Sequence, residues 1–196
     1  PILMEITAKL AVSFVNRYGA YLIADRLMPF LLLLVGFFPI SISLVIALES
    51  FAGERERRSL EPLLATPLTD GQLYLGKMLA SMLTPLMGAF LGILVYLIVL
   101  IIEIGWEVPL LLIVQVVLLT TAQALVMVSG AVVISSQATS VRSANLLASF
   151  VIIPVAMLVI GESMIMFWAN YNALWLILAA LIILATILGR MGLHLF

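Results

Sequence analysis

The stretch Met28-Pro-Phe-Leu-Leu-Leu-Leu-Val-Gly-Phe-Phe-Pro-Ile-Ser-Ile-Ser-Leu-Val-Ile-Ala-Leu-Glu-Ser50 decides the fold class. No charged residue interrupts it before Glu49. A bilayer core needs roughly 20 apolar residues per helix, and this run is long enough to cross. Four more stretches qualify: 73–102, 108–136, 146–168 and 173–188. Irregular backbone cannot face lipid, so each is expected to be a helix. The whole composition agrees. Hydrophobic residues make up 65% of the 196-residue chain and charged residues 10%, with a mean hydropathy of +1.31. One soluble core of this size could not hide that apolar surface. The expected fold is an all-α integral membrane protein, a polytopic helical bundle forming one transmembrane domain over 1–196.

Charge and cysteine content exclude several classes. The net charge is −1, so no basic field invites nucleic acid. With no cysteine there is no disulfide, thiolate metal site or cysteine nucleophile.

The basic residues set an orientation. Arg55, Arg57, Arg58 and Lys77 fall between spans one and two, Arg142 between three and four, and Arg190 after five. These three regions share one side and hold six of the nine Lys and Arg. The opposite short loops hold none, and carry Glu103, Glu107, Trp106 and Trp168. The arginine-rich loop is therefore expected in the cytoplasm of a plasma-membrane protein. Residues 1–27 place Glu5, Lys9, Ser13, Asn16 and Arg17 at intervals of one to four in an otherwise apolar segment. That pattern predicts an external, interfacial amphipathic helix. Five spans with an outside start, and no initiator Met before Pro1, predict a further span upstream.

The loop over 51–72 carries most of the functional signal. It contains Glu54-Arg-Glu-Arg-Arg-Ser59-Leu-Glu-Pro-Leu-Leu-Ala-Thr66-Pro67 and continues through Thr69 and Gln72 to Tyr74-Leu-Gly76-Lys77. Thr69 and Gln72 have capping-box spacing, so a helix should start there and run into span two. Ser59 can cap a short helix that tolerates Pro62 in its first turn and stops before Pro67. Its apolar side would present Leu60, Leu63 and Leu64. From Glu54 to Lys77 four basic and four acidic residues cancel. A lipid-binding loop would be basic on balance, each Lys or Arg contributing about 1 kcal/mol. Mixed signs with leucine anchors suit a protein partner better. A solvated loop that only satisfies the positive-inside rule is the bland alternative.

This loop resembles the signature loop of type-2 ABC transporter permeases, the membrane subunits of ATP-binding-cassette exporters. The patch Ser135-Ser-Gln-Ala-Thr-Ser-Val-Arg142-Ser-Ala-Asn145, followed by Pro154, is similar to that family's next cytoplasmic loop, here 137–145. The family norm is six spans and an N-terminal interfacial helix. The resemblance implies that 54–66 is a coupling helix seated in a cytoplasmic ATPase. Glu54, Arg55, Glu56 and Arg57 would make polar contacts, and Leu60 and Leu64 would be anchors. Glu61 and Lys77 are left open between pairing with each other and meeting the partner. Thr69, Gln72, Gly76 and Lys77 support the helix start; Arg142 and Asn145 mark the second loop. A dimer of permease chains with two ATPase subunits follows, with ATP and Mg on the partner and no cofactor on this chain. A membrane scaffold that docks a cytoplasmic protein through the same loop, without transport, is the alternative.

Competing motifs are weaker. Gly71 to Lys77 fits G-x-x-x-x-G-K, but Met78 stands where a phosphate loop needs Ser or Thr, and no strand is expected before it. Gly161-Glu-Ser163 lacks the second glycine of a serine-nucleophile elbow, and His194, the sole histidine, falls on the other side. Gly88 and Gly92 form G-x-x-x-G, for packing within the bundle or a dimer or gating seam. Gln115 and Gln123 lie eight apart on one helix face, for interhelical hydrogen bonds or a polar path. No ionisable residue is expected deep in the membrane. Glu162 is placed near the outer end, snorkelling or paired with a neighbour. Such a lack of deep charges points to an external energy source.

Overall fold

A computed structural model describes residues 6, 7, 9, 10, 12, 13, 16–19, 26–53, 69–104, 109–138, 141–168 and 170–195. Five long helices account for most of them: α1 Met28–Leu48, α2 Asp70–Ile104, α3 Leu110–Gln137, α4 Val141–Phe167 and α5 Tyr171–Leu195. Among the described residues there is no strand. All five helices are long and apolar enough to cross a membrane. The protein is an all-α polytopic membrane bundle. The described residues among 6–19 are helical and mostly exposed.

Local chemistry explains where the helices start and stop. Pro29 sits in the first turn of α1, where its missing N–H leaves no bond unmade. Thr69 and Gln72 close the expected reciprocal box at the head of α2. The Thr69 N–H donates to Gln72 Oε1 at 3.1 Å, and the Gln72 N–H to Thr69 Oγ1 at 3.3 Å. Pro109 is extended at the start of α3, and Ala138 is extended at its end. Beyond α1, Glu49–Gly53 continues as a π-helical turn rather than a loop. Likewise α4 begins at Val141, so Arg142 and Asn145 lie in its first turns and not in an extended connection. Helix α5 runs well past the apolar stretch 173–188, through Gly189 and Gly192 to Leu195. Gly192 is required by packing: a Cβ there would meet the Tyr74 hydroxyl at 2.8 Å and Val132 Cγ1 at 3.1 Å.

Side-chain hydrogen bonds sort the helix ends into two sets. At one end Tyr96 Oη donates to the Met28 carbonyl, Gln115 Nε2 to the Tyr171 carbonyl, and Arg26 Nη1 to the Phe167 carbonyl. The last bond also satisfies a terminal carbonyl of α4, with a cation where the helix dipole favours one. At the other end Tyr74 Oη donates to the Gly189 carbonyl at 3.0 Å. The chain thus alternates direction through five crossings, and the exits of α1 and α5 lie with the start of α2. Residues 54–68 join two helices at this second end, called here the loop side.

Burial separates two kinds of helix. The apolar window of α3 is 61% buried and that of α1 44%, against 22–24% for α2, α4 and α5. So α1 and α3 form the interior and the other three wrap them. The interior pair meets closely at Gly36 of α1, where a Cβ would lie 2.8 Å from Thr120 Oγ1 and 3.1 Å from Ile93 Cδ1. In lipid no hydrophobic force drives helices together, so this close approach supplies dispersion contacts that hold them. Pro39 removes one backbone donor from α1. The hydroxyls of Ser41 and Ser43 donate back to the Phe38 and Ile40 carbonyls nearby.

Candidate functional site

Two regions hold the polar and aromatic groups that matter most to the bundle. The first is the base of the 54–68 segment. Phe51 leaves α1 in the π-helical turn, and its ring packs on Tyr74 with centroids 6.2 Å apart. Lys77, one turn further along α2, is 9% exposed and holds its ammonium 5.6 Å from the centroid of the same Phe51 ring. An ammonium over a ring face is attracted by its quadrupole, by about 0.5–2 kcal/mol depending on desolvation. Tyr74 then ties α2 to α5 through Gly189. The segment's two ends are therefore clamped to each other, and through Tyr74 to a third helix.

Of the residues proposed for docking, Glu54, Arg55, Glu56, Arg57, Leu60, Glu61 and Leu64 lie outside the described residues. So does the side chain of Asn145. Arg142 is exposed in the first turn of α4. Gly76 has open space where a Cβ would stand, so packing among the described residues does not require a glycine there.

The second region is a polar seam between α3, α4 and α5. Gln123, midway along α3, donates from Nε2 to Glu162 Oε2 at 2.6 Å. Gln115, two turns earlier on the same face, donates from Nε2 to the Tyr171 carbonyl at 3.0 Å. Glu162 has no exposed surface, and Gln115 and Gln123 are 2% and 1% exposed. Ser163 is buried beside Glu162 and donates to the Val159 carbonyl. Among the described residues, Glu162 Oε1 and Gln115 Oε1 are buried without a hydrogen-bond partner. Both glutamines thus act as links between helices.

This seam decides between the two expectations for Glu162, in favour of pairing with a neighbour. Its carboxyl does not snorkel; it turns inward and is paired with mid-helix Gln123. That Gln123 is the partner could not be read from spacing, because the two residues lie on different helices.

The G-x-x-x-G pair is resolved by contact. A Cβ on Gly88 would sit 3.5 Å from Pro39 Cβ, and one on Gly92 3.2 Å from Val35 Cγ1. The pair faces α1 of the same chain and lets α2 approach it. Sequence reading missed Gly36, whose opening on Thr120 is tighter still.

Residues 4–178 match the family model described as ABC-2 family transporter protein. The chain belongs to the ABC-2 transporter family. Comparison with curated proteins and with solved structures returned no match. The family match spans the first four crossings, the clamped segment and part of the fifth helix. The protein is thus the membrane-embedded permease component of an ABC transporter, a family whose membrane component implies a separate ATP-binding partner.

Proposed function

We propose that this permease couples ATP hydrolysis on a cytoplasmic ATPase to export, with 54–66 as the coupling helix. The observation that carries the reading is the clamp at the base of that segment. Phe51, Tyr74 and Lys77 join the end of α1 to the start of α2, and Tyr74 joins both to α5. A push on the segment would reach three helices at once. Helix α2 has 35 residues, about 52 Å at 1.5 Å per residue, and acts as a stiff lever. Glu54, Arg55, Glu56 and Arg57 would meet the ATPase through charge pairs, with Leu60 and Leu64 as anchors. Two permease copies would take two ATPase subunits, in a plasma membrane with the loop side in the cytosol. The excess of basic residues on that side supports the orientation.

The test is co-purification of the permease with an ATP-binding-cassette ATPase encoded beside it. Charge reversal at Arg55 and Arg57 together should abolish capture while leaving the permease folded. Undiminished capture counts against the coupling helix. Substrate efflux into vesicles that persists without ATP would replace the exporter by a channel or carrier. A stable complex that hydrolyses ATP without moving any substrate would favour the docking scaffold.

A further inference from the structure

The loop side carries a groove that shares Tyr74 with the clamp and lies apart from the seam. It has a volume of about 370 Å³ and lies between α2 and α5, floored by α3. Tyr74 and Met78 form one wall, Ile182 and Thr186 the other, and Leu125 the floor. Arg190 stands at the loop-side end and is the one charged residue among the described residues lining it. Thr186 and Arg190 are exposed, so the groove opens sideways as well as toward the loop side.

We propose that this groove binds an anionic phospholipid of the leaflet on the loop side. The dimensions fit. From Ile182 to Arg190 is eight residues of helix, about 12 Å. One leaflet supplies about 15 Å of a 30 Å hydrocarbon core. Apolar walls therefore run along an acyl chain, and the guanidinium stands where the headgroup phosphate lies. Guanidinium and phosphate match in charge and in bidentate geometry. Basic pockets between membrane helices recognise acidic headgroups in this way. A wholly apolar protein segment would leave the Arg190 charge unmatched at the rim. The inference stands apart from the ATPase reading, because it requires only that this end of the bundle lie at a membrane surface.

The full chain, purified in neutral detergent, is titrated with phosphatidylglycerol and with phosphatidylcholine and read by native mass spectrometry. One phosphatidylglycerol should bind, at least about fivefold more tightly than phosphatidylcholine, the factor expected for one basic residue near a headgroup. Arg190→Gln should remove that preference. Thr186→Trp, which fills the groove and keeps the charge, should weaken both lipids. Excess inorganic phosphate should not displace the lipid. Should Thr186→Trp fail to fold, the stabilisation of wild type by phosphatidylglycerol, lost in Arg190→Gln, carries the same test. Equal binding of both lipids, or binding unchanged in Arg190→Gln, overturns the proposal. Displacement by phosphate alone overturns it in favour of a free-anion site. Because the chain has no cysteine, Thr186→Cys introduces a single thiol at the groove. A disulfide joining two copies of that variant in native membranes would assign the groove to a second copy instead.

Discussion

Lys77 and Glu162 are both ionisable residues inside crossing helices, and the bundle treats them in opposite ways. Lys77 stands near the loop-side end of α2, and its long stem carries the ammonium to the Phe51 ring. Glu162 has a short stem and no exposed surface, so it depends on Gln123. The loop-side end is held by aromatic faces and a helix cap, contacts that survive small shifts. The seam is held by single side-chain hydrogen bonds between buried groups, where a lost partner leaves a buried polar group unsatisfied. The first region joins the ends of three helices; the second fixes which helices are neighbours.

The sharpest way to break this contrast is Gln123→Leu. It removes the one donor that Glu162 has in the seam and should cost about 2–3 kcal/mol. For a chain of this size that lowers the midpoint of thermal unfolding in detergent by roughly 5–10 °C. Adding Glu162→Leu should recover most of the loss, and a double-mutant cycle measures the coupling. Strictly additive effects would mean the two residues do not act as a pair. Gly36→Val should cost about 2 kcal/mol, since it overpacks the α1–α3 contact at Thr120. Thr69→Ala at the head of α2 should cost about 1 kcal/mol, the ordinary loss for one helix cap. If it cost more than Gln123→Leu, the ranking of the two regions would be reversed. Gly76→Ala should be the smallest effect and of opposite sign. A methyl there enters open space and removes helix-opposing backbone freedom, for a gain of about 0.5–1 kcal/mol.

Much of the fold was legible because lipid leaves the chain few choices. Twenty-odd apolar residues without charge must form a helix, and the starts of all five helices lie within a few residues of the apolar runs. The Thr69–Gln72 box was readable because its chemistry is local, three residues apart. The end of α5 was not, because the apolar run stops at Leu188 while the helix continues to Leu195. Contacts with Ser129, Val132 and Tyr74 keep the helix going there. The seam was half legible: Gln115 and Gln123 share a face by arithmetic, but their partners come from α4 and α5. For the G-x-x-x-G pair, the motif announces a close approach without saying to which helix.

By itself the sequence determined that the chain crosses a membrane as helices, how many apolar runs it has, and where the charged loop falls. Those follow from hydrocarbon solvation and local capping, which depend on neighbours along the chain. Only the tertiary structure decided that α1 and α3 form the interior, that Gly88 and Gly92 face Pro39 and Val35, and that Glu162 turns inward to Gln123. Apolar faces are interchangeable toward lipid and toward protein, so hydropathy cannot choose partners. Close packing and the pairing of buried polar groups make that choice.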